Sequence, residues 1–188
     1  PFMPRPVHMR DADSWRTWLI RDQRFVSGRT DVLEYETAPL AADLHIMGAP
    51  QVDLFAATTG TDSDWVVKLI DVYPDEDTYH PETAGMQMGI GFEIFRGRYV
   101  KDFGKPQALK SGKVEEYKFG LPNVDHVFLK GHKVMVQVQS TLFPLYDRNP
   151  QTYVTNIFFA KPGDYKKATQ SVYRSGAAPS AVVLPVVK

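Results

Sequence analysis

The sequence predicts an all-β fold, an antiparallel β-sandwich entered through a short helical lead-in. From residue 31 onward, short segments rich in β-forming residues recur with glycine and proline turn signals between them, and no long helical pattern separates them. One segment alternates cleanly, with Val134, Val136 and Val138 on one face and Gln137 and Gln139 on the other. A period of two is typical of a strand in a sheet that is covered on one side. We therefore divide the chain into a lead-in, residues 1–30, and a sandwich, residues 31–188.

The lead-in combines proline punctuation with aromatic residues. Pro1, Pro4 and Pro6 favour an extended entry, whereas Trp15 and Trp18 offer a short helix that packs against the sandwich. Nine strands are then predicted, at residues 31–37, 43–48, 51–58, 64–73, 87–99, 114–121, 133–141, 169–174 and 181–187.

The connections between these strands carry recognisable turn chemistry. Residues 48–50 read Gly-Ala-Pro and residues 60–63 read Gly-Thr-Asp-Ser, so both are predicted to join strands tightly. Residues 164–168 are predicted to form a helical turn before the last strands. The longest loop, residues 74–85, is acidic and contains Tyr79 and His80. Long loops are either functional or mobile, and we expect this one to take part in binding or in an interface.

Composition excludes several classes of function. The chain has 188 residues, which suits one large domain with a substantial core. Its 22 basic and 22 acidic residues give no net charge, so it lacks the basic footprint that nucleic-acid binding requires. No window is apolar over the length that spans a bilayer, and no charged-then-apolar segment opens the chain as a signal peptide would. We expect a soluble protein without nucleic-acid or membrane partners.

Cysteine usage and the first residues bear on the cellular context. The sequence has no cysteine, which excludes disulfides and thiolate metal sites but leaves the compartment open, with a periplasmic or secreted parent as one expectation. The chain begins Pro1-Phe2-Met3-Pro4 rather than with an initiator methionine. We therefore expect it to be a piece of a larger protein.

A series of short motifs gives the chain a family resemblance. They are Asp22-Gln23-Arg24-Phe25-Val26, Asp31-Val32-Leu33, Thr61-Asp62-Ser63-Asp64-Trp65, Leu69-Ile70-Asp71-Val72-Tyr73-Pro74-Asp75, Phe95-Arg96-Gly97-Arg98-Tyr99, residues 133–152 and residues 179–187. In this order they resemble the C-terminal domain of the X-Pro dipeptidyl-peptidase, cocaine esterase and α-amino-acid ester hydrolase family. Within it, the resemblance is greatest to α-amino-acid ester hydrolases, which are also labelled glutaryl-7-aminocephalosporanic acid acylases.

The resemblance implies a jelly-roll sandwich of the galactose-binding-like type and a multidomain serine hydrolase as the parent. In that family the catalytic serine, aspartate and histidine belong to an α/β-hydrolase domain that precedes this one, so that domain would lie upstream of residue 1. The parent would cleave α-amino-acid esters or amides, or acyl β-lactams, through an acyl-enzyme. This domain would be inactive alone. It would wall one side of the active-site crevice, pack against the hydrolase domain and support a homo-oligomer.

Two alternatives stay open at this point. The parent is alternatively an X-Pro dipeptidyl-peptidase, because the missing domain selects the substrate. In another class, the chain is a carbohydrate- or peptide-binding module, which would need rings exposed on a concave sheet face. Trp65 lies within an apolar alternation, and Trp15 and Trp18 adjoin Leu19 and Ile20, so burial of these rings is favoured over sugar stacking.

No catalytic residue, cofactor or metal site is predicted within the chain. The nucleophile motif G-x-S-x-G is absent from the sequence. Ser175 or Ser180 paired with His126 or His132 is the remaining nucleophile and base combination, and we disfavour it. The five histidines lack zinc-ligand spacing. Asp62-Ser63-Asp64 begins like a calcium loop but lacks the later glycine and glutamate, so capping of a turn is favoured.

Charged residues at two strand ends are predicted to form a structural or interface corner together with Asp62 and Asp64. Arg96 and Arg98 flank Gly97 and are expected on one face, because side chains two apart along a strand share a side. They would grip a substrate carboxylate or, as favoured, pair with the acids Asp71, Glu93 or Asp147.

A second part of this corner is the loop bracketed by Pro144 and Pro150. Asp147, Arg148 and Asn149 lie between the two prolines, which cannot donate to a strand ladder. Either this loop borders the substrate crevice, or Asp147 accepts backbone N–H groups and Arg148 bridges acids in a self-satisfied corner, which we favour.

Three residues are candidates for contact with the substrate. In relatives such as the esterases the segment entering this domain passes along the active-site crevice, which the resemblance extends to Phe2. Tyr79 and His80 are added from the long acidic loop. The alternative for all three is exposed packing or, for Phe2, a fraying end.

Overall fold

The computed structural model describes residues 20–188, in which twelve β-strands supply most of the regular structure. The strands are β1 Val32–Glu36, β2 Leu44–Gly48, β3 Gln51–Thr58, β4 Asp64–Val72, β5 Gln87–Arg96, β6 Glu115–Gly120, β7 Val124–Phe128, β8 Lys133–Gln139, β9 Gln170–Val172, β10 Arg174–Ser175, β11 Ala178–Pro179 and β12 Ala181–Val183. Short 3₁₀ turns lie at Gln23–Val26, Pro81–Thr83, Gly97–Tyr99, Ile157–Phe159 and Pro162–Asp164. None of the helices in this part of the chain is long and apolar enough to cross a membrane.

The strands form antiparallel sheets around a common core. The first sheet has the order β1-β8-β4-β5, and the second has the order β12-β3-β6, with β9 also paired with β3. Strands β2 and β7 form a separate pair, and Ile46 of β2 makes a bridge to Val186 near the C-terminus. All the pairings between the described strands are antiparallel. The predicted all-β sandwich is therefore confirmed.

The core is built from side chains that alternate along the strands. Trp65, Val67 and Leu69 of β4 are each at most 1% exposed and belong to one large cluster of buried residues. Within it, the ring centre of Tyr117 lies 5.5 Å from those of both Trp65 and Phe95. Each such buried side chain contributes roughly 1.5–3 kcal/mol to folding. This core is the rigid platform that positions the loops at the strand ends.

The outer face of the first sheet is buried as well, which differs from the prediction of a sheet covered on one side. Gln137 of β8 is fully buried, and its register partner Lys68 of β4 is 2% exposed. Next to them, Ile70, Val72 and Met135 form a second, smaller core cluster. Sequence alternation does not distinguish a polar residue that faces water from one that faces a polar partner in a covering segment.

The lead-in supplies part of that cover. Its 3₁₀ turn, Gln23–Val26, follows Asp22, whose carboxylate accepts a hydrogen bond from the backbone of Gln87 at 3.3 Å. Lys68 Nζ donates to Gln23 Oε1 at 2.7 Å and lies 5.7 Å from the ring centre of Phe25. Burial lowers the pKa of Lys68 to about 8, because the ammonium form loses its hydration. The lead-in and the sandwich thus pack together through a buried polar contact.

Several elements differ from the prediction, including the last strand, predicted at residues 181–187, of which β12 covers Ala181–Val183. Strand β7 was not predicted, because Asp125 and His126 interrupt its apolar pattern, yet it pairs with β2 over its full length. The predicted helical turn at residues 164–168 is instead the 3₁₀ turn Pro162–Asp164, in which Asp164 accepts from the backbone of Lys161 at 2.7 Å. Strand β5 ends at Arg96, and the next three residues turn away from the sheet.

Candidate functional site

Most of the predicted corner residues meet at one end of the sandwich. We call this group the corner cluster: it consists of Asp62, Asp64, Arg96, Arg98, Asp147 and Asn149. Asp64 opens β4 and is the register partner of Arg96, the last residue of β5. Asp62 precedes β4, Arg98 follows β5, and Asp147 and Asn149 come from the loop after β8. Three connections that are distant in sequence therefore converge at this end.

Arg98 and Asp62 form a buried ion pair within the corner cluster. The Nε and Nη2 atoms of Arg98 donate to Asp62 Oδ2 at 2.9 and 2.5 Å, and the two side chains are 4% and 0% exposed. The second carboxylate oxygen accepts from the backbone N–H of Ser63 at 2.9 Å. The guanidinium also lies 4.9 Å from the ring centre of Tyr153. Both oxygens of Asp62 are thus engaged inside the domain, which favours a structural role.

Arg96 faces two acids at longer range. Its guanidinium nitrogens lie 3.7 Å from a carboxylate oxygen of Asp64 and 3.7 Å from one of Asp147. Asn149 Nδ2 donates to Asp64 Oδ1 at 2.9 Å. Burial raises the pKa of Asp64 to about 6, although the nearby Arg96 charge and the Asn149 hydrogen bond act in the opposite direction. Asp64 therefore takes up a proton under mildly acidic conditions.

The two arginines serve different acids and do not form a joint grip on one carboxylate. Arg98 belongs to a 3₁₀ turn, so the strand alternation that would align it with Arg96 stops before it. Of the partners considered from the sequence, Asp147 does face Arg96. Glu93 instead accepts a hydrogen bond from the hydroxyl of Tyr146 at 3.3 Å.

The loop after β8 is held against the corner cluster by its own backbone. Asn149 Oδ1 accepts from the backbone N–H of Gln151 at 2.8 Å, and the carbonyl of Gln151 accepts from Thr61 N at 3.1 Å. Gly60 permits this approach, since an added Cβ would lie 2.3 Å from the same carbonyl oxygen. The guanidinium of Arg148 lies 5.9 Å from the ring centre of Tyr165. These contacts tie Asn149 and Gln151 to the connection before β4.

The loop of residues 74–85 presents an aromatic ring to solvent. Asp77 Oδ1 accepts from the backbone N–H groups of Tyr79 and His80 at 2.8 and 2.9 Å, and Gly85 N donates to the carbonyl of Pro74 at 2.7 Å. Tyr79 is nevertheless 90% exposed. The loop is therefore closed by its own hydrogen bonds while its aromatic side chain contacts little of this domain.

This loop adjoins the lead-in. Arg24 Nη1 donates to the carbonyl of Ala84 at 3.2 Å, and Asp22 bonds the backbone at the start of β5. The two regions considered as substrate-proximal from the sequence are thus neighbours over their described parts. Phe2, like Trp15 and Trp18, lies outside the described residues.

Sequence reasoning missed a second polar group, which we call the histidine clamp: Asp71, His126 and His132. The carboxylate of Asp71 bonds His126 Nε2 at 2.9 Å and His132 Nδ1 at 2.8 Å. Because a carboxylate accepts only, each ring nitrogen donates its N–H to it. Asp71 is buried, and the ring of Tyr73 packs against that of His132 in a tilted arrangement with a centre separation of 4.5 Å. The clamp ties β4 to β7 and to the residue before β8.

No sequence signal identified the clamp, since His126 and His132 lie 55 and 61 residues after Asp71 along the chain. Of the two serines considered as partners for these histidines, Ser180 bonds elsewhere: its Oγ accepts from Phe55 N at 2.9 Å and donates to the carbonyl of Phe55 at 3.3 Å. Within residues 20–188, no group of three or more histidine or acidic side chains is arranged to hold a metal ion.

Comparison with known proteins gives consistent matches. A family profile described as the X-Pro dipeptidyl-peptidase C-terminal non-catalytic domain matches residues 8–183. The solved structure of a selenomethionine-labelled α-amino acid ester hydrolase is 59% identical with a TM-score of 0.93, and the match covers 100% of this chain and 30% of that one. An aminopeptidase from the marine sediment archaeon Thaumarchaeota archaeon is 51% identical with a TM-score of 0.91, covering 93% and 29%.

A curated relative extends the same pattern. Cocaine esterase of Rhodococcus sp. (strain MB1 Bresler) is 33% identical over 167 residues, which are 89% of this chain and 27% of that protein. The chain thus spans less than a third of the length of each of these relatives. It belongs to the family of X-Pro dipeptidyl-peptidase C-terminal non-catalytic domains, as the order of its motifs indicated.

Proposed function

We propose that this chain is the non-catalytic C-terminal domain of a serine hydrolase that acts on α-amino-acid esters or amides, or on acyl β-lactams. The reaction would proceed through an acyl-enzyme in an α/β-hydrolase domain elsewhere in the parent chain. One observation carries the proposal: the 59% identity to an α-amino acid ester hydrolase extends over the whole of this chain but only 30% of that enzyme. The catalytic residues would then be outside residues 1–188.

The names of two relatives suggest which half of the substrate is recognised. An α-amino acid ester hydrolase and an aminopeptidase differ in the leaving group, an alcohol or an amine, but both release an acyl group that carries an α-amino group. Acyl-enzyme chemistry tolerates both leaving groups, because the first step forms the same ester to the nucleophile. We therefore propose the α-aminoacyl group as the shared feature of the parent's substrates.

An X-Pro dipeptidyl-peptidase is the second candidate. The family description refers to that activity, and the 51% identity to an aminopeptidase favours a peptide substrate. In that case the acyl group would be a dipeptide ending in proline, and the leaving group would be the remaining peptide.

The domain's own contribution would be to position the substrate and exclude water. The support is the loop of residues 74–85, which holds Tyr79 at 90% exposure and contacts the lead-in through the hydrogen bond from Arg24 to the carbonyl of Ala84. A ring held out by backbone hydrogen bonds is suited to cover a crevice on an adjoining domain. We propose that Tyr79 and His80 border the active-site crevice, and that Phe2 lies on the same path.

Packing against the rest of the parent is the second part of the role. The corner cluster fixes three loops at one end of the sandwich, so surfaces there are rigid enough for docking. We also propose that the parent is a homo-oligomer, which light scattering of the full-length protein would test.

The test uses the full-length parent. Phenylglycine methyl ester, an aminoacyl p-nitroanilide and an X-Pro p-nitroanilide are assayed in parallel, with and without a serine-directed phosphonate. We expect turnover of the first two, abolished by the phosphonate, whereas preferential cleavage of the third selects the dipeptidyl-peptidase. A parent that turns over none of them, or that resists the phosphonate, would refute the proposal.

A matched pair of variants tests the crevice wall. Tyr79→Ala in the full-length parent should raise KM by roughly tenfold if the ring contacts the substrate, because remote binding contacts are lost. Phe103→Ala is the control, since Phe103 is 77% exposed but packs on Phe95 elsewhere in the domain. Equal KM values for the two variants and the wild type would contradict the proposal that Tyr79 borders the crevice.

A further inference from the structure

Two adjacent phenylalanines protrude from the loop that follows β8. Phe158 and Phe159 are 75% and 80% exposed, although a phenylalanine side chain is among the most strongly buried by preference. They form the end of the 3₁₀ turn Ile157–Phe159. Two large exposed apolar rings at consecutive positions indicate a contact surface more strongly than a single exposed apolar residue does.

The turn that carries these rings is held firmly. Ile157 is buried and anchors the turn in the domain. Asn156 caps it, since its Oδ1 accepts from Phe158 N at 3.0 Å, and Ala160 N donates to the carbonyl of Ile157 at 3.0 Å. The rings are therefore presented by a preorganised support, which reduces the entropy lost on docking.

The segment that follows the two rings is basic. Lys161, Lys166 and Lys167 follow within the next eight residues, and all three are exposed. The acid in this stretch, Asp164, is bonded to the backbone of Lys161 at 2.7 Å. A complementary surface would offer an apolar pocket for the rings and carboxylates around it.

We propose that Phe158 and Phe159 anchor this domain to the catalytic domain of the same parent chain, in an apolar pocket bordered by acidic residues. This inference rests on the proposed function, because it takes the parent to contain a catalytic domain. The chain belongs to a family of C-terminal non-catalytic domains and matches only 30% of a 59% identical enzyme, so in the proposed parent a covalently linked neighbour would be present in every molecule. That linkage gives a high effective concentration, and aromatic residues dominate the binding energy of protein contacts.

The test has two readouts, one on the full-length wild-type parent and one on a single-residue variant of it. The first is hydroxyl-radical footprinting, in which Phe103 serves as the internal reference because its exposure in this domain, 77%, matches that of the two rings. We expect Phe158 and Phe159 to be oxidised roughly fivefold more slowly than Phe103, since anchors of an interface are desolvated. Rings that react as fast as Phe103 would overturn the inference.

The second readout identifies the occupant. The variant Phe159→p-benzoylphenylalanine is irradiated in the full-length parent, and the crosslinked peptides are mapped by mass spectrometry. A crosslink to upstream catalytic-domain peptides at unchanged mass on a denaturing gel supports the inference. A doubled mass would assign the surface to a second copy, and a crosslink within residues 1–188 would assign it to this domain; either result overturns it.

Hydrolase activity is measured on the same wild-type sample. An inactive parent with protected rings would contradict the proposed function but leave the docking surface in place. An active parent with unprotected rings would contradict only the docking surface.

Discussion

Arg98→Met should destabilise the chain much more than Arg96→Met, although the two arginines lie two positions apart. Arg98 is 4% exposed and donates twice to Asp62, whose side chain is fully buried. Removing one partner of a buried pair costs about 3–5 kcal/mol in unfolding free energy, because the remaining carboxylate stays buried without a compensating charge. Methionine keeps most of the apolar stem, so the loss would report mainly on the charge.

Arg96 provides the matched control. It is 21% exposed, and its nitrogens lie 3.7 Å from the oxygens of Asp64 and Asp147, beyond hydrogen-bond distance. A partly exposed pair such as Arg96–Asp147 contributes about 0–1 kcal/mol to the unfolding free energy. Burial raises the pKa of Asp64 to about 6 even beside Arg96, so after the substitution this carboxyl can bind a proton instead of remaining charged.

Urea unfolding of the 188-residue chain at neutral pH, followed by tryptophan fluorescence, measures both losses. Adding Asp62→Asn to Arg98→Met should recover about half of the larger loss, since it removes the uncompensated charge. The reasoning is refuted if Arg96→Met costs as much as Arg98→Met, or if neutralising Asp62 in the double variant restores nothing.

Three further predictions concern the histidine clamp, a tight backbone contact and pH. Asp71→Ala leaves both clamp histidines without their acceptor and should lower the unfolding free energy by about 2–5 kcal/mol. Asp71→Asn should lower it clearly less, because an amide can accept from one ring and donate to the other. Equal losses on urea unfolding would contradict this reasoning. Gly60→Ala should lower the unfolding free energy by about 2 kcal/mol or more, because the added carbon would lie 2.3 Å from a backbone oxygen. In the control Gly163→Ala the added carbon meets nothing within 4 Å, so the unfolding free energy should change by no more than about 0.5 kcal/mol. The Asp64 carboxyl has its pKa raised from 3.8 to about 6, so its stabilising contribution is complete below the lower value and is lost as the pH rises through the higher one. Unfolding free energies of Asp64→Asn relative to the wild type should therefore rise by about 2–3 kcal/mol between about pH 4 and pH 7, and a difference that does not change with pH would be the contrary result.

The sequence by itself determined the fold class and the family. Alternation in β8 and glycine-rich connections such as residues 48–50 are local signals, and local signals suffice to predict strands and turns. Motif order then identified the family without any structure. The residues of the corner cluster were also found, because charged residues at strand ends are visible in the sequence, although their pairing was not.

Only the tertiary structure decided which residues pair and which surfaces are covered. The histidine clamp depends on the approach of β7 to β4, and the buried contact of Lys68 depends on Gln23 of the lead-in. In each case the deciding contact joins segments that are distant along the chain, and local periodicity carries no information about such contacts.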